Sequence, residues 1–183
     1  MTTLGYALLG LIARSPASGY DLSRQLRAPI GFFWRARHSQ IYPELARLET
    51  EGLVIHTVVE QQELPDKKVY TITPAGKEAL RRWVTEPVEP PVVRDELLLK
   101  TFSLWLAEPT AAAALFRDHE RHHAAQLQVY EALQQQLAAK GEEITRLASP
   151  YFAAYITLQK GIIYERQYLE WCRWVAQRLE QGA

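Results

Sequence analysis

The run Ser39-Gln40-Ile41-Tyr42-Pro43-Glu44-Leu45-Ala46-Arg47-Leu48-Glu49-Thr50-Glu51-Gly52-Leu53 reads as a short helix that stops at a glycine and passes straight into a strand. Helical spacing turns Leu45 and Leu48 inward and sets Gln40, Pro43, Glu44 and Arg47 on the opposite, solvated face. A short helix with a polar outer side and a strand directly behind it is the build of the recognition helix in a winged helix-turn-helix. The expectation is a DNA-binding regulator whose remaining chain serves dimerisation and signal sensing.

Upstream, Leu4, Leu8, Leu11 and Ile12 recur at helical spacing, and Ser15-Pro16-Ala17-Ser18-Gly19 breaks the pattern. Ser18 is placed to cap a second helix over Gly19 to Arg27, with Tyr20, Leu22 and Leu26 turned inward. Pro29 and Gly31 end it, and the aromatic cluster Phe32-Phe33-Trp34 follows. Downstream, Leu53 to Val59 is rich in β-branched residues, Leu64-Pro65-Asp66 is a turn, and Lys67 to Thr73 alternates again. Two short strands joined by a polar turn make the wing. Thr73-Pro74 opens another helix, to about Val84, with threonine as cap and proline at the first position, where its missing N–H costs nothing.

Pro87-Val88-Glu89-Pro90-Pro91 stiffens the chain and forbids a helix through it. The expected organisation is therefore mainly α: a winged helix-turn-helix domain over 1–86, with a two-stranded β wing, a proline-rich linker over 87–92, and an all-α dimerisation domain over 93–183. Three helices are expected in the last part. Arg94 to Leu106 is apolar around most of its circumference, and Pro109 to Ala139 carries Leu115, Leu127, Tyr130, Leu133 and Leu137. The third, Ser149 to Leu179, has one stripe through Tyr151, Leu158, Ile162, Leu169 and Cys172 and a second through Ile156, Ile163, Tyr164, Trp171 and Val175. A helix apolar on two faces must be covered on two faces. Three helices supply too few partners, so a second copy of the chain is expected to cover it.

Composition fits a globular protein of 183 residues, 48% hydrophobic and 23% charged. No apolar run approaches the roughly 18 residues of a membrane span, and the start lacks the signature of a signal peptide. Cys172 is the single cysteine, so no internal disulfide forms, in keeping with a cytoplasmic protein; core packing is its expected role. The 21 basic and 21 acidic residues cancel, yet residues 1–47 hold six arginines against Asp21 and Glu44. Positive charge is concentrated where a DNA contact is expected.

The major groove admits one helix, whose first residues meet base edges and phosphates. Here these are Ser39, Gln40 and Tyr42, with Pro43 beside them. Ser39 is both a cap and a phosphate donor by type, Gln40 has the groups to read adenine, and Arg47 suits phosphate or guanine. Tyr20 completes this set in the second helix, and Lys67 and Lys68 in the wing. Each has a plainer alternative: Ser39 capping only, Tyr42 packing on the second helix, and the lysines serving solubility.

Gly19-Tyr20-Asp21-Leu22, then Ile41 to Leu53 as quoted above, then Val69-Tyr70-Thr71-Ile72-Thr73-Pro74-Ala75-Gly76 resemble the PadR family of bacterial transcriptional regulators, over roughly residues 4–86. In length and helical pattern the tail is similar to the longer PadR subgroup, whose C-terminal domain is like that of virulence-gene activators. The resemblance implies a homodimeric winged-helix protein, not an enzyme, that binds a pseudo-palindromic operator in double-stranded DNA. It also implies a repressor, with no cofactor, often released by a small aromatic or otherwise lipophilic molecule.

Two further patterns compete for attention. His119-Glu120-Arg121-His122-His123 contains H-E-x-x-H, the spacing that gives zinc peptidases two ligands and a general base, and Glu143 lies where a third ligand is sometimes found. The alternative function is thus a zinc-dependent hydrolase; a non-catalytic site formed by the three histidines is a milder version, and a solvated histidine-rich helix face is the plainest. Trp34, Trp105, Trp171 and Trp174 are the candidate walls of an effector pocket, against a simple role in the dimer core.

Overall fold

A computed structural model describes residues 1–27, 37–60, 66–92 and 94–182. Trp34, its aromatic neighbours, and wing residues 61–65 lie outside the described residues. The chain divides into two compact units, Met1–Pro90 and Pro91–Ala183.

Among the described residues, the first unit has four helices and a small sheet. Helix α1 (Thr3–Ile12) is capped by Thr2, whose Oγ1 accepts from the Gly5 N–H at 3.0 Å. Strand β1 (Ala17–Ser18) leads into α2 (Gly19–Arg27). Ser18 caps α2 reciprocally: its Oγ accepts from the Asp21 N–H at 3.2 Å and donates to the Asp21 carboxylate at 2.7 Å. Helix α3 (His38–Thr50) ends at Gly52, whose φ of 70° closes the turn that lets the Leu53 N–H reach the Leu48 carbonyl at 2.9 Å. Strands β2 (Val54–Val59) and β3 (Lys67–Ile72) form an antiparallel hairpin, with Val54 opposite Ile72 and Val59 opposite Lys67. Helix α4 (Pro74–Trp83) starts at Thr73, whose Oγ1 accepts from the Gly76 N–H at 3.0 Å.

The wing sheet has a third strand that the sequence pattern conceals. β1 pairs with β3, Ala17 opposite Tyr70 and Ser18 opposite Val69, giving the order β1-β3-β2. Two residues are too few to show alternation, so Ser15 to Gly19 reads only as a break. Leu8, Leu9, Leu22, Ile41, Leu45, Leu48 and Val54 are essentially sealed from solvent and make one core that fixes α3 against α1, α2 and the sheet. The Tyr6 and Trp83 rings stack at 4.5 Å and join α1 to α4.

The second unit is helical. Asp95 caps α5 (Glu96–Thr101) by accepting from the Leu98 N–H. That cap starts the helix later than Arg94, and the chain then turns into a separate 3-10 segment at Leu104–Leu106. Helices α6 (Pro109–Ala138) and α7 (Pro150–Gln181) are capped by Glu108 and Ser149. Arg117–Glu180, Glu120–Arg173 and His123–Glu165 contacts run in opposite senses along the two, so they form an antiparallel pair. Phe116, wholly buried, anchors that pair with Cys172 and Ala176, a role absent from the expected leucine line. Of the two expected stripes of α7, one is buried through Leu158, Ile162, Leu169 and Cys172, whereas Ile156, Ile163 and Tyr164 are about half exposed. No described helix is long and apolar enough to cross a membrane.

Candidate nucleic-acid interface

The outer side of α3 is set by which residues its core positions consume. Ile41, Glu44, Leu45 and Leu48 are buried, leaving Ser39, Gln40, Tyr42, Pro43, Ala46 and Arg47 exposed. Glu44 is therefore a correction: it does not belong to the solvated face. Its Oε1 accepts from the Thr2 hydroxyl at 2.6 Å, and it packs so tightly on Gly5 that an added Cβ there would lie 2.5 Å from the same oxygen. The carboxylate is turned into the joint between α1 and α3, where it ties the helix to the amino end of α1.

Ser39 is not the cap. Arg37 occupies the cap position, with extended backbone, and Ser39 is the second helical residue. The cap bond comes from the other side: the Gln40 Oε1 accepts from the Arg37 N–H at 3.0 Å. A backbone donor requires an acceptor, so the amide oxygen is committed and the Gln40 NH2 is the group left outward. The exposed helix start thus offers a hydroxyl and an amide donor, flanked by the exposed Arg37 and His38. Those two were missed because serine is the stronger cap type; the signal was Gln40 three residues after Arg37.

Tyr42 packs on the second helix and keeps an open outer edge. Its ring sits on the start of α2, where a Cβ on Gly19 would fall 2.6 Å from Cε1, so only glycine admits it there. Its outer half remains open, 47% exposed, beside the His38 ring at 5.3 Å. Tyr20 is a correction to the inward reading: it is 65% exposed, because the core of α2 is filled by Leu22 and Leu26.

The cations are not equally available. The Arg47 Nε bonds Glu51 Oε1 at 2.8 Å, a pair open to solvent on both sides. Lys67 Nζ is 2.9 Å from Asp21 Oδ2, so it is held rather than projecting freely. The Ser18 hydroxyl, with Lys67 beside it, keeps the Asp21 carboxyl down at about 2. Lys68, on the opposite side of β3, is exposed and has no ion pair among the described residues. His56 contacts Glu49 and links β2 to α3.

The H-E-x-x-H pattern does not make a metal site. Among the described residues no group of three or more His, Cys, Asp or Glu side chains could hold an ion. His123 is buried, its Nδ1 2.5 Å from Glu165 Oε2 and its ring stacked on Tyr168 at 4.1 Å. Glu120, the would-be base, is bound by Arg173 and Arg117, which hold its carboxyl below the usual carboxylate range. Glu143 pairs with Arg146 instead. The histidine pattern is also not a purely solvated face, since His123 is part of the core between α6 and α7. Burial pushes the Cys172 thiol up to about 11, consistent with packing rather than reactivity. Trp171 and Trp174 line an open apolar groove of about 360 Å³ between α5 and α7, with Leu98, Leu104, Val175 and Arg178. Trp105 is 81% exposed and stands outside that lining.

Comparison with known proteins agrees with both units. Residues 8–82 match the transcriptional regulator PadR-like family, and residues 93–180 match the virulence activator alpha C-terminal domain. The chain is 35% identical over 173 residues to the negative transcriptional regulator PadR of Bacillus subtilis, covering 93% of this chain and 94% of that one. The crystal structure of B. subtilis PadR with operator DNA matches with a TM-score of 0.87 at 32% identity, over 97% of this chain and 99% of that one. Its complex with p-coumaric acid matches with a TM-score of 0.79 at 32% identity, over 97% and 95%. The Vibrio cholerae virulence activator AphA matches with a TM-score of 0.72 at 25% identity, over 99% and 100%. With winged-helix topology in one unit, a helical second unit, and full-length identity of this order, the chain belongs to the PadR-like family of transcriptional regulators, which are DNA-binding proteins and not enzymes.

Proposed function

We propose that the protein is a homodimeric repressor, acting in the cytoplasm, that reads a pseudo-palindromic operator with α3. One observation carries the reading: the exposed side of α3 begins with Ser39, Gln40, Tyr42 and Pro43, seated on α2 by the Tyr42–Gly19 contact. In this reading the Gln40 amide donates to a base edge. Ser39, Tyr20 and Lys68 contact phosphates, and Arg47 leaves Glu51 for phosphate or guanine, an exchange made easy by the small worth of an exposed pair. Two copies of α3 enter successive major grooves about 34 Å apart. The 93–183 unit pairs the copies. Support for the DNA partner comes from the operator complex of B. subtilis PadR, and for repression from that protein's designation as a negative regulator.

The same relative binds p-coumaric acid, which favours a small aromatic or lipophilic effector here; the Trp171–Trp174 groove is the candidate lining among the described residues. The test is a mobility-shift titration of the full chain with the DNA upstream of its own coding sequence, over a salt series. Wild type is expected to bind with steep salt dependence. Gln40→Ala and Tyr42→Ala are expected to bind weakly while remaining folded dimers. Unchanged affinity in both variants removes α3 as the reading helix. Addition of p-coumaric acid as a probe is expected to release the DNA.

A further inference from the structure

A surface that binds an operator, as proposed above, must also reject other DNA. One carboxylate ties three elements together. Asp21, in the first turn of α2, accepts from the Ser18 hydroxyl of β1 at 2.7 Å and holds the Lys67 ammonium of β3 at 2.9 Å, with the exposed Arg24 at the limit of contact, 4.0 Å from its other oxygen. The pairing of Ser18 with Val69 brings that end of β3 to α2, and Lys67 lies on the same side of the strand as Val69. The carboxylate is the shielded partner, 26% exposed in its side chain, whereas Lys67 is 38% exposed. The Arg47–Glu51 pair looks similar but differs in kind. It spans one turn of a single helix, is open on both sides and has no third partner, so it yields readily. Lys67 is fixed by a carboxylate that is itself fixed.

We propose that Asp21 is a specificity-determining residue: by retaining Lys67 it withholds one cation from the DNA backbone. A lysine on a phosphate adds affinity for DNA of any sequence, through counterion release, and carries no information about bases. A regulator works against a large excess of non-operator sites, so what matters is the ratio of operator to non-operator affinity. Keeping Lys67 bound lowers the sequence-independent part and leaves the base contacts of α3 unchanged.

Asp21→Asn separates this role from capping. Its amide oxygen still accepts from Ser18, while the charge that holds Lys67 is gone. Full-length wild type, Asp21→Asn, Lys67→Gln and the double variant are titrated by fluorescence anisotropy. The probes are a duplex from upstream of the protein's own coding sequence and a random-sequence duplex of equal length. In Asp21→Asn, affinity for the random duplex is expected to rise roughly three- to tenfold near 0.1 M salt, with a log–log salt slope steeper by about 0.9. The operator-to-random ratio falls accordingly. Lys67→Gln leaves Asp21 uncompensated near phosphate and is expected to bind more weakly, with a slope somewhat flatter than wild type. The double variant returns to the wild-type slope. A wild-type slope in Asp21→Asn overturns the proposal. So does a slope flattened by about 0.9 in the double variant, which means that Lys67 already neutralises a phosphate; Asp21→Ser serves in both arms if Asp21→Asn fails to fold. A wild type that shows neither operator preference nor salt dependence removes the operator reading itself, and the proposal with it; a wild type that binds selectively beside an unchanged Asp21→Asn removes only the proposal.

Discussion

At the scale of single residues, the first turn of α3 uses one side chain for two purposes. Gln40 supplies the helix cap through its oxygen and presents its NH2 outward. Gln40→Glu keeps an acceptor at the third helical position and adds a charge that favours a helix start. Folding stability is therefore expected to stay within about 0.5 kcal/mol of wild type. DNA binding is expected to fall roughly tenfold or more, because a donor becomes a carboxylate facing phosphates and a good base contact is worth about 1–3 kcal/mol. Thermal unfolding together with a mobility shift reads both; equal affinity in the two proteins removes Gln40 from the interface. Asp21 gives a pH signature of its own. Its carboxyl sits at about 2 in the folded chain against an ordinary 3.8, so its contribution to stability is intact above pH ~4. The contribution is lost as pH falls from there toward 2, where the carboxyl protonates in the folded chain too. Asp21→Asn is expected to flatten that part of the acid-unfolding curve, as followed by circular dichroism, and an unaltered acid limb speaks against the Ser18–Lys67 clamp.

At the scale of elements, the α6–α7 pair is held by apolar contacts around one buried polar bridge, His123–Glu165. Removing one partner leaves the other buried without its bond, a cost of about 1–3 kcal/mol. His123→Ala is expected to lower the melting temperature markedly, and adding Glu165→Leu to recover most of the loss, since replacing both members of such a pair is often neutral. Failure of the second change to recover stability locates the cost in the Tyr168 stack instead. This bridge also shows what the sequence displays and what it hides. Caps made by a residue and its near neighbours, Ser18 before α2 and Thr73-Pro74 before α4, are legible because both partners lie within a few positions. So is the α3-to-β2 passage at Gly52. Contacts across long separations are not: Glu44 meets Thr2 across 42 residues, and His123 meets Glu165 across another 42. Helical period alone puts Glu44 on the polar side and makes H-E-x-x-H look like a ligand set. The two-residue strand β1 is hidden for the same reason, since only its partner β3 defines it. On the α3 surface, residue types alone show which side chains lie outward, while the commitment of Gln40, Arg47 and Lys67 to partners emerges only from packing.

At the scale of the whole molecule, the second unit exposes more apolar side chain than a soluble surface of this size ordinarily carries in one stretch. Leu99, Phe102, Trp105 and Leu106 are 70–86% exposed within eight residues, and Ile156, Ile163, Tyr164 and Trp174 are about half exposed on α7. Contiguous apolar surface of this kind marks an interaction site, and an antiparallel helix pair with such a surface suits a two-fold, self-complementary contact with a second copy. Because Phe102 and Trp105 stand clear of the core, charge can be placed there without disturbing the fold. The combined Phe102→Glu and Trp105→Glu variant is expected to stay helical with a near-normal melting transition in its first unit, yet to run as a monomer in sedimentation velocity. Its operator affinity is then expected to collapse toward that of a single half-site, because two half-sites joined through one dimer reinforce each other through effective concentration, by a factor on the order of a hundred or more. Its affinity for a random duplex changes far less. A variant that sediments as a dimer and keeps full operator affinity moves the interface away from α5 and leaves the half-exposed face of α7 as the surface that joins the copies.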